Sequence, residues 1–535
     1  MFRDTQDQLQ FPDFLLPFGG KLSPTNRWIR LADLIPWDLV EQAYRRSFGS
    51  DSLGSPAKSA RIAFGALVIK ERLGVTDRET VEQILENPYL QFFLGLTEFR
   101  DKPLFNPSMM VHFRSRFSGE DLAAINQRIV LAEGDANGQA DGVEEEEDRA
   151  VELREDGTGA ENSDPPAANG SADEESSERS NSGKLLVDAT CTPADITYPT
   201  DLKLLNEARE KAEHVIDLLH ADLGSAMAKP RDYRRKARKD FLAVAKSKRP
   251  GARKIRSAIG KQLRYLRRDL GHIDRQLAAG ASLGALTAYE HKCLMVIHTL
   301  FEQQMHMYRN RVRRVDDRIV SISQPHVRPI VRGKASTPVE FGAKIAISCV
   351  DGYVYLDRLS WDAYHEAGDL PGQIEAYHRR HGCYPDSVHA DRIYRTRANR
   401  AYCKQRGIRL SGLRPGALPG DADKLAELMN EVRADEQARI PVEGKFGNAK
   451  RKGTLARIMA KLSHTAECVI HVGMITLNLD KKLAELLRAL VGTLFIPSRW
   501  PVTPLAALRQ HRSSRITLIL PCRRPTTSVL VPASA

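Results

Sequence analysis

Leu185-Leu186-Val187-Asp188-Ala189-Thr190 is the stretch on which the reading of this chain turns. Three consecutive apolar residues read as a buried strand, and a carboxylate closes them. Downstream the pattern turns helical and basic: residues 229–268 hold 17 Lys/Arg against two acids, so this segment needs anionic surroundings. Tyr233, Phe241 and Tyr265 are interleaved there, and Leu263, Leu266 and Leu270 supply an apolar face. Helices continue to about Arg314 and stop at Ser323-Gln324-Pro325-His326-Val327-Arg328-Pro329, where proline forbids them. Strands then resume at 339–348, turn at Asp351-Gly352 and return as Tyr353-Val354-Tyr355-Leu356. A helix around Gln373–Arg380, a strand Ser387–Asp391, a helix near Arg397–Gln405, a strand Ile408–Leu410 and a helix over 422–463 complete the pattern. This order predicts an α/β domain, a mixed sheet flanked by helices, with a helical insertion (about 200–325) after the first strand.

Upstream, residues 25–130 read as all helical. One helix is expected from Leu31 through Pro36 to Tyr44, and another over Ser59–Leu73 with Ile62, Ala63, Ala66, Leu67 and Ile69 as its stripe. Gly74-Val75 break it, and Thr76-Asp77-Arg78-Glu79 reads as a capping box for a helix ending before Pro88. Two short helices around a tight turn suit a helix-turn-helix, although helical hairpins in cores share the pattern.

The net charge of +12 over 535 residues hides a division. Between Glu133 and Gly183 there are 17 acids against three Arg, a local −14, which leaves +26 for the remainder. So basic a body expects a polyanion, with nucleic acid the default; ribosomal or membrane-surface binding fits the charge equally well. The acidic stretch has almost no aliphatic content and reads as a disordered linker, either a spacer or a competitor for the basic surfaces. Seven scattered cysteines lack zinc or redox spacing and read as free thiols in a reducing cytosol. No apolar run is long enough to span a bilayer, and Met1-Phe2-Arg3-Asp4 has no signal-peptide layout. The expected layout is 1–133 helical, 134–183 linker, 184–485 catalytic and 486–535 an irregular basic tail. That tail has seven Arg and no acid.

Three acids sit where chemistry is plausible. Asp188 and Asp391 end strands, and Glu443 opens a basic helix; strand ends beside a helix converge at one edge of an α/β sheet. Three carboxylates in one place repel unless cations are present, and Mg²⁺ takes oxygen ligands from a few carboxylates, water and phosphate. For any single Asp, a helix cap or a surface position is the commoner reading.

A resemblance joins them. Val187-Asp188-Ala189-Thr190, followed by Tyr198-Pro199-Thr200-Asp201-Leu202-Lys203-Leu204-Leu205-Asn206-Glu207-Ala208-Arg209, resembles the first-Asp region of bacterial insertion-sequence DDE transposases. The InsH-like type, the insertion-sequence-five family, is the nearest group. Asp391-Arg392-Ile393-Tyr394-Arg395-Thr396, with Asn399-Arg400, resembles the second-Asp block. Arg439, Glu443 and Lys450 match the signature around the catalytic Glu, which commonly begins with Tyr where this chain has Glu436. Residues 25–120 resemble the family's N-terminal domain, particularly Glu86-Asn87-Pro88-Tyr89-Leu90-Gln91-Phe92-Phe93-Leu94-Gly95. The likeness covers about 1–130 and 184–480.

The resemblance implies an RNase H-like catalytic fold in which Asp188, Asp391 and Glu443 hold two Mg²⁺ ions, with Mn²⁺ as a substitute. A metal-activated water would nick double-stranded DNA at the terminal inverted repeats, and the freed 3′-hydroxyl would attack target DNA. Neither step needs a covalent protein intermediate, in keeping with the lack of a nucleophilic Ser or Cys constellation. Arg439 and Lys450 would bind terminal phosphates, with a solvated basic face as the competing reading. Tyr394 and Arg395 would lie on the DNA, Tyr394 stacking on a base or sugar unless it is a core tyrosine. His389 reads as a strand histidine. His326, Arg328, Arg332 and Lys334 form a basic extended entry to the second strand, which would track DNA backbone or, as the prolines argue equally, serve as a structural connector, and His291, His298 and His306 do not share a face suited to zinc. The 229–268 helices would clamp DNA. A homodimer or higher assembly on paired ends is expected, in the bacterial cytoplasm at the nucleoid. The other readings are an inactive DNA-binding remnant that represses transposition, and an RNase H-like nuclease that cleaves without joining.

Overall fold

The computed structural model describes residues 15–16, 20–48, 56–131, 180–331, 339–413, 416, 419–451 and 453–494. Nearly all of the acidic stretch, Arg332, Lys334 and the chain beyond residue 494 lie outside the described residues. Met1–Leu486 forms one compact unit and Leu487–Ala535 a second.

The first helices are α1 (Arg27–Leu34), α2 (Trp37–Arg46), α3 (Ala60–Leu73), α4 (Asp77–Glu86), α5 (Pro88–Phe93), α6 (Met109–Ser115) and α7 (Gly119–Leu131). Where one helix was expected through Pro36, there are two. Pro36 has no N–H to continue the ladder, and Ile35 before it is extended, with φ −94° and ψ 126°. The Thr76 side chain caps α4 by accepting the Glu79 N–H at 3.2 Å. The Glu79 carboxylate takes the Gln83 amide at 2.9 Å rather than closing back on Thr76. In the α3–α4 hairpin, α3 is buried almost all round, while α4 exposes Arg78, Glu79, Glu82 and Glu86. The open face of the second helix thus carries three acids beside Arg78.

The sheet contains β1 (Lys184–Pro193), β2 (Arg328–Val331), β3 (Val339–Val350), β4 (Tyr353–Ser360), β5 (Ser387–His389) and β6 (Arg409–Leu410). Its order is β2-β3-β1-β5-β6, with β4 also paired to β3. β3 runs antiparallel to β1, β2 and β4, whereas β1, β5 and β6 are parallel. The mixed α/β reading holds, with β2 added where only a connector was expected. Asp351 (φ 49°) and Gly352 (φ 80°) make the expected two-residue turn between β3 and β4. β1 is a near-continuous apolar run because it is central and covered on both faces. Leu186 packs toward one core and Leu185 and Val187 toward the other.

Between β1 and β2 lies the helical insertion, α8 (Asp201–Leu223), α9 (Arg234–Ala245), α10 (Ala252–Ala278) and α11 (Ala288–Asn310). It has its own core: Leu205, Ile216, Leu266, Ile273, Ile297 and Leu300 are each fully or almost fully buried, in a cluster drawn from residues 204–322. Thr287 and Glu290 close a reciprocal capping box on α11.

After the sheet hairpin come α12 (Leu370–His381), α13 (Arg397–Gln405), α14 (Ala422–Arg451) and α15 (Ser463–Leu494). The helix expected over 422–463 ends at Arg451, and residues 453–462 are not helical. One face of α15, with Cys468, Val472, Ile475, Leu479 and Leu483, completes the N-terminal core. Another face, with Ala466, Val469, Ile470 and Met474, packs into the core under β1 and β3. A buried amide network seals this joint. The Asn478 Oδ1 accepts the Val354 N–H at 2.8 Å, its Nδ2 donates to Asn126 Oδ1 and to the Val354 carbonyl at 2.8 Å each, and Asn126 Nδ2 donates to the same carbonyl at 3.0 Å. The N-terminal helices and the sheet therefore share a helix from the far end of the chain. The six described cysteines are free thiols, and Cys522 lies outside the described residues. Among the described residues, no helix is long and apolar enough to cross a membrane.

Candidate active site

Asp188 lies midway along β1, not at its end: the strand continues to Pro193 because β3 pairs with it over 186–193. Asp188 is opposite Ile347, on the sheet face that Val442 and Phe446 of α14 cover. Its carboxylate accepts the Ala189 N–H at 2.8 Å. Burial pushes its pKa up to about 6, against the pull of the Ala189 N–H and of Arg439; Glu366 and Asp391 push it further up.

Asp391 stands two residues beyond β5, capping a short 3-10 turn (Arg392–Tyr394) and accepting the Arg392 N–H at 2.6 Å. Glu443 is exposed well inside α14 rather than at a helix start, four residues after Arg439 and two after Pro441. Arg439 joins the two: its Nη1 is 3.7 Å from Asp391 Oδ1 and its Nη2 is 3.6 Å from Glu443 Oε1. The Arg439 side chain is only 16% exposed, against 57% for Asp391 and 60% for Glu443, so the guanidinium is the fixed member and the acids face solvent. Two of the sequence-predicted acids, from a post-strand turn and a helix, thus flank one cation, and the third, Asp188 on β1, feels that cation electrostatically.

Lys450 reaches the same face of β1, where its Nζ donates to Thr190 Oγ1 at 3.1 Å and to the Cys191 carbonyl at 2.8 Å. Arg395 is half-buried, its guanidinium packed on Gly412, whose φ of +91° and missing side chain leave the space. Burial and the neighbouring Arg439 lower its pKa, while Asp391 and Asp435 act against them.

Tyr394 takes the core position. It is fully buried among Leu370, Ile374 and Tyr377 of α12, because the short turn capped by Asp391 rolls its ring under the sheet. Its hydroxyl, buried and without a hydrogen-bond partner among the described residues, is held neutral. His389 is also interior, 3.4 Å from Asp435, which in turn binds Arg409 at 2.6 Å and the Gly412 N–H at 2.8 Å. His326 packs edge-on against Trp361 with ring centroids 4.4 Å apart, and burial lowers its pKa to about 4, so it is uncharged at neutral pH. Arg328 turns its guanidinium onto the carbonyls of Pro325 and Val327. Both are structural, set by the proline connector.

Sequence reasoning missed Glu366, in the turn between β4 and α12. It acts on Asp188 electrostatically and pairs with Lys344 of β3 at 3.2 Å. Lys344 also donates to the Tyr364 carbonyl at 2.9 Å. An acid just after a strand and just before a helix was the available signal.

The donor chemistry, carboxylates on a strand, a turn and a helix with a fourth on the turn before α12, is of the kind that suits a hard divalent cation. Among the described residues, however, no three His, Cys, Asp or Glu side chains already form a metal-holding cluster; Arg439 lies between two of the acids.

Comparison with known proteins bears on both halves of the chain. Residues 388–480 match a family model described as a transposase DDE domain, and residues 17–116 match one described as a transposase domain. The first match includes Asp391, Arg439, Glu443 and Lys450 and begins after Asp188. A Rhizobium meliloti protein described as an uncharacterized protein, ORF8 in the nfe locus, is 28% identical over 202 residues, 37% of this chain and 78% of that protein. No solved structure matches. At the family level, then, residues 17–116 and 388–480 are similar to transposase domains, a similarity that for those families implies DNA transposition.

Proposed function

We propose that this protein is a DNA transposase of an insertion sequence, nicking the element's terminal inverted repeats and joining the 3′-hydroxyl to target DNA. The observation that carries the reading is that Asp391 and Glu443, from a post-strand turn and a helix 52 residues apart, both pair with Arg439, which together with Asp391 also acts electrostatically on Asp188 of the central strand. A mixed sheet with Asp188 on its central strand and Asp391 just past the adjacent parallel strand supports an RNase H-like catalytic domain.

Asp188, Asp391 and Glu443 would hold Mg²⁺ or Mn²⁺, which when bound supplies charge stabilisation and an activated oxygen nucleophile for phosphodiester cleavage. Half-buried Asp188 is the most desolvated of the three and gives the least mobile ligand. Arg439, fixed between Asp391 and Glu443, is placed to offer two parallel N–H donors to a phosphate. Lys450, anchored on β1, fixes α14 against the strand and keeps a positive charge near the same edge. Arg395 adds a further cation that Gly412 holds in place.

The test uses duplex oligonucleotides from the inverted repeats bracketing the gene, with Mg²⁺ or EDTA, comparing this protein with Asp391→Asn. The expected result is a nick at the repeat end that requires the metal and disappears in the variant, with joined products when target DNA is added. Cleavage without joining would assign a nuclease. Repeat-specific binding without cleavage would assign a repressing remnant.

A further inference from the structure

The insertion carries charge that the proposed chemistry does not use. Its 17 Lys/Arg between 229 and 268 divide into two sets once their surroundings are known. One set is committed to the fold. Lys229 and Arg234 pair with Asp217, Lys261 pairs with Asp240, Arg256 binds the Tyr308 carbonyl, Arg267 meets Met305 and Phe301, and Arg231 and Arg268 lie over the Tyr233 ring, Arg268 at 4.0 Å.

The other set is exposed and forms no ion pair or hydrogen bond among the described residues. On α9 it is Arg235, Lys236, Arg238 and Lys239, and the 235, 238/239 spacing extends to Lys246 along one helical face. Lys248 and Arg249 continue it through the turn, and Arg253, Lys254 and Arg264 carry it onto α10. The two acids within the segment do not neutralise this set: Asp240 is held by Lys261 and Tyr265, and Asp232 by Arg234. Between α9 and α10 a cavity of about 470 Å³ is lined by Val244, Gly251, Arg253, Lys254 and Ser257, with Lys261 and its partner Asp240 at its side. Gly251 opens the 27-residue α10 without a side-chain acceptor on its first N–H groups, so the positive end of the helix faces the same groove.

The aromatic residues decide what kind of polyanion fits. A single-strand binder offers open rings on which bases stack. Here Tyr233, though 36% exposed, carries the Arg268 guanidinium over its ring, the Tyr265 hydroxyl is bound to Asp240, and Phe241 packs with Leu202 and Val244. Open cations with committed rings read backbone phosphate, not bases.

We propose that the α9–α10 arm is a clamp for duplex DNA that grips the phosphate backbone independently of sequence. The choice of DNA as the polyanion rests on the transposase reading; the phosphate chemistry does not. Because the arm has a core separate from the sheet, it binds without the acids of the active site.

The test compares the full-length protein with a variant carrying Arg235→Glu, Arg238→Glu, Lys239→Glu and Lys246→Glu, all at exposed positions. Binding to a duplex of unrelated sequence is followed by fluorescence anisotropy between 50 and 300 mM salt, and circular dichroism checks the fold. Losing four phosphate contacts flattens the slope of log K against log salt by about 3 to 4. A four-fold Gln variant, which spares the helix if Glu disturbs it, should show the same loss. An unchanged slope in both variants overturns the clamp. So does a loss confined to single-stranded DNA, and preferential binding of duplex RNA overturns the assignment to DNA. If the parent protein binds duplex through this arm yet never nicks a repeat end, the clamp stands and the transposase reading fails.

Discussion

Replacing Asp188 by Asn should make the protein more stable at neutral pH. In the folded chain this carboxyl titrates near 6, pushed up mainly by burial, against an ordinary value of 3.8. Above pH 6 the acid is ionised in both folded and unfolded chains, and the folded state carries the penalty of the desolvated anion. Below about pH 4 it is protonated in both and the penalty vanishes. The stability associated with the protonated form is thus lost as pH rises from about 4 through 6. A shift of roughly two units corresponds to about 3 kcal/mol. Asn keeps an acceptor for the Ala189 N–H at 2.8 Å and removes the charge. Denaturant unfolding in EDTA should therefore show Asp188→Asn more stable by about 2–3 kcal/mol at pH 7.5, with the gain shrinking to near zero at pH 4. Mg²⁺ should raise the parent's midpoint and leave the variant's nearly unchanged, since a ligand stabilises only the state that binds it. A variant no more stable than the parent at pH 7.5, or a gain independent of pH, would refute the reasoning that burial of this carboxylate opposes folding.

Two further outcomes test the architecture. Asn478→Leu strands the Val354 N–H and the Asn126 amide oxygen in the joint between α7, α15 and β4, and should cost about 2–5 kcal/mol in chemical denaturation; a change under about 0.5 kcal/mol would mean the joint is not sealed by this network. Tyr394→Phe removes a buried hydroxyl with no partner among the described residues and should be neutral or stabilising, with repeat-DNA affinity unchanged, whereas a several-fold loss of affinity would return Tyr394 to the DNA.

The active-site reading depends on charge placed where the sheet exposes it, and the structure shows how that placement arises. Arg439 and Glu443 are one helical turn apart, so any helix brings them together. Asp391 joins them only because β5 ends early and the following turn swings back toward α14. Glu366 was missed for the converse reason: a lone acid in a turn carries no pattern until the sheet brings it within electrostatic reach of Asp188. Tyr394 was misplaced because an aromatic residue beside a catalytic motif looks the same in sequence whether its ring faces DNA or core.

Local chemistry wrote much of this chain directly. Hydrophobic runs, the Asp351-Gly352 turn, the N-cap at Thr76 and the insertion after the first strand follow from short-range patterns, which bind neighbours in sequence and need no fold to be recognised. Pairing across hundreds of residues was not legible. Which strand lies centrally, how α15 serves two cores, which of the 17 insertion cations are spent on internal partners and which remain open, and whether an acid is buried or free were all settled by tertiary packing. The physical reason is that burial and charge pairing are properties of what surrounds a side chain, and those surroundings come from distant segments of the chain.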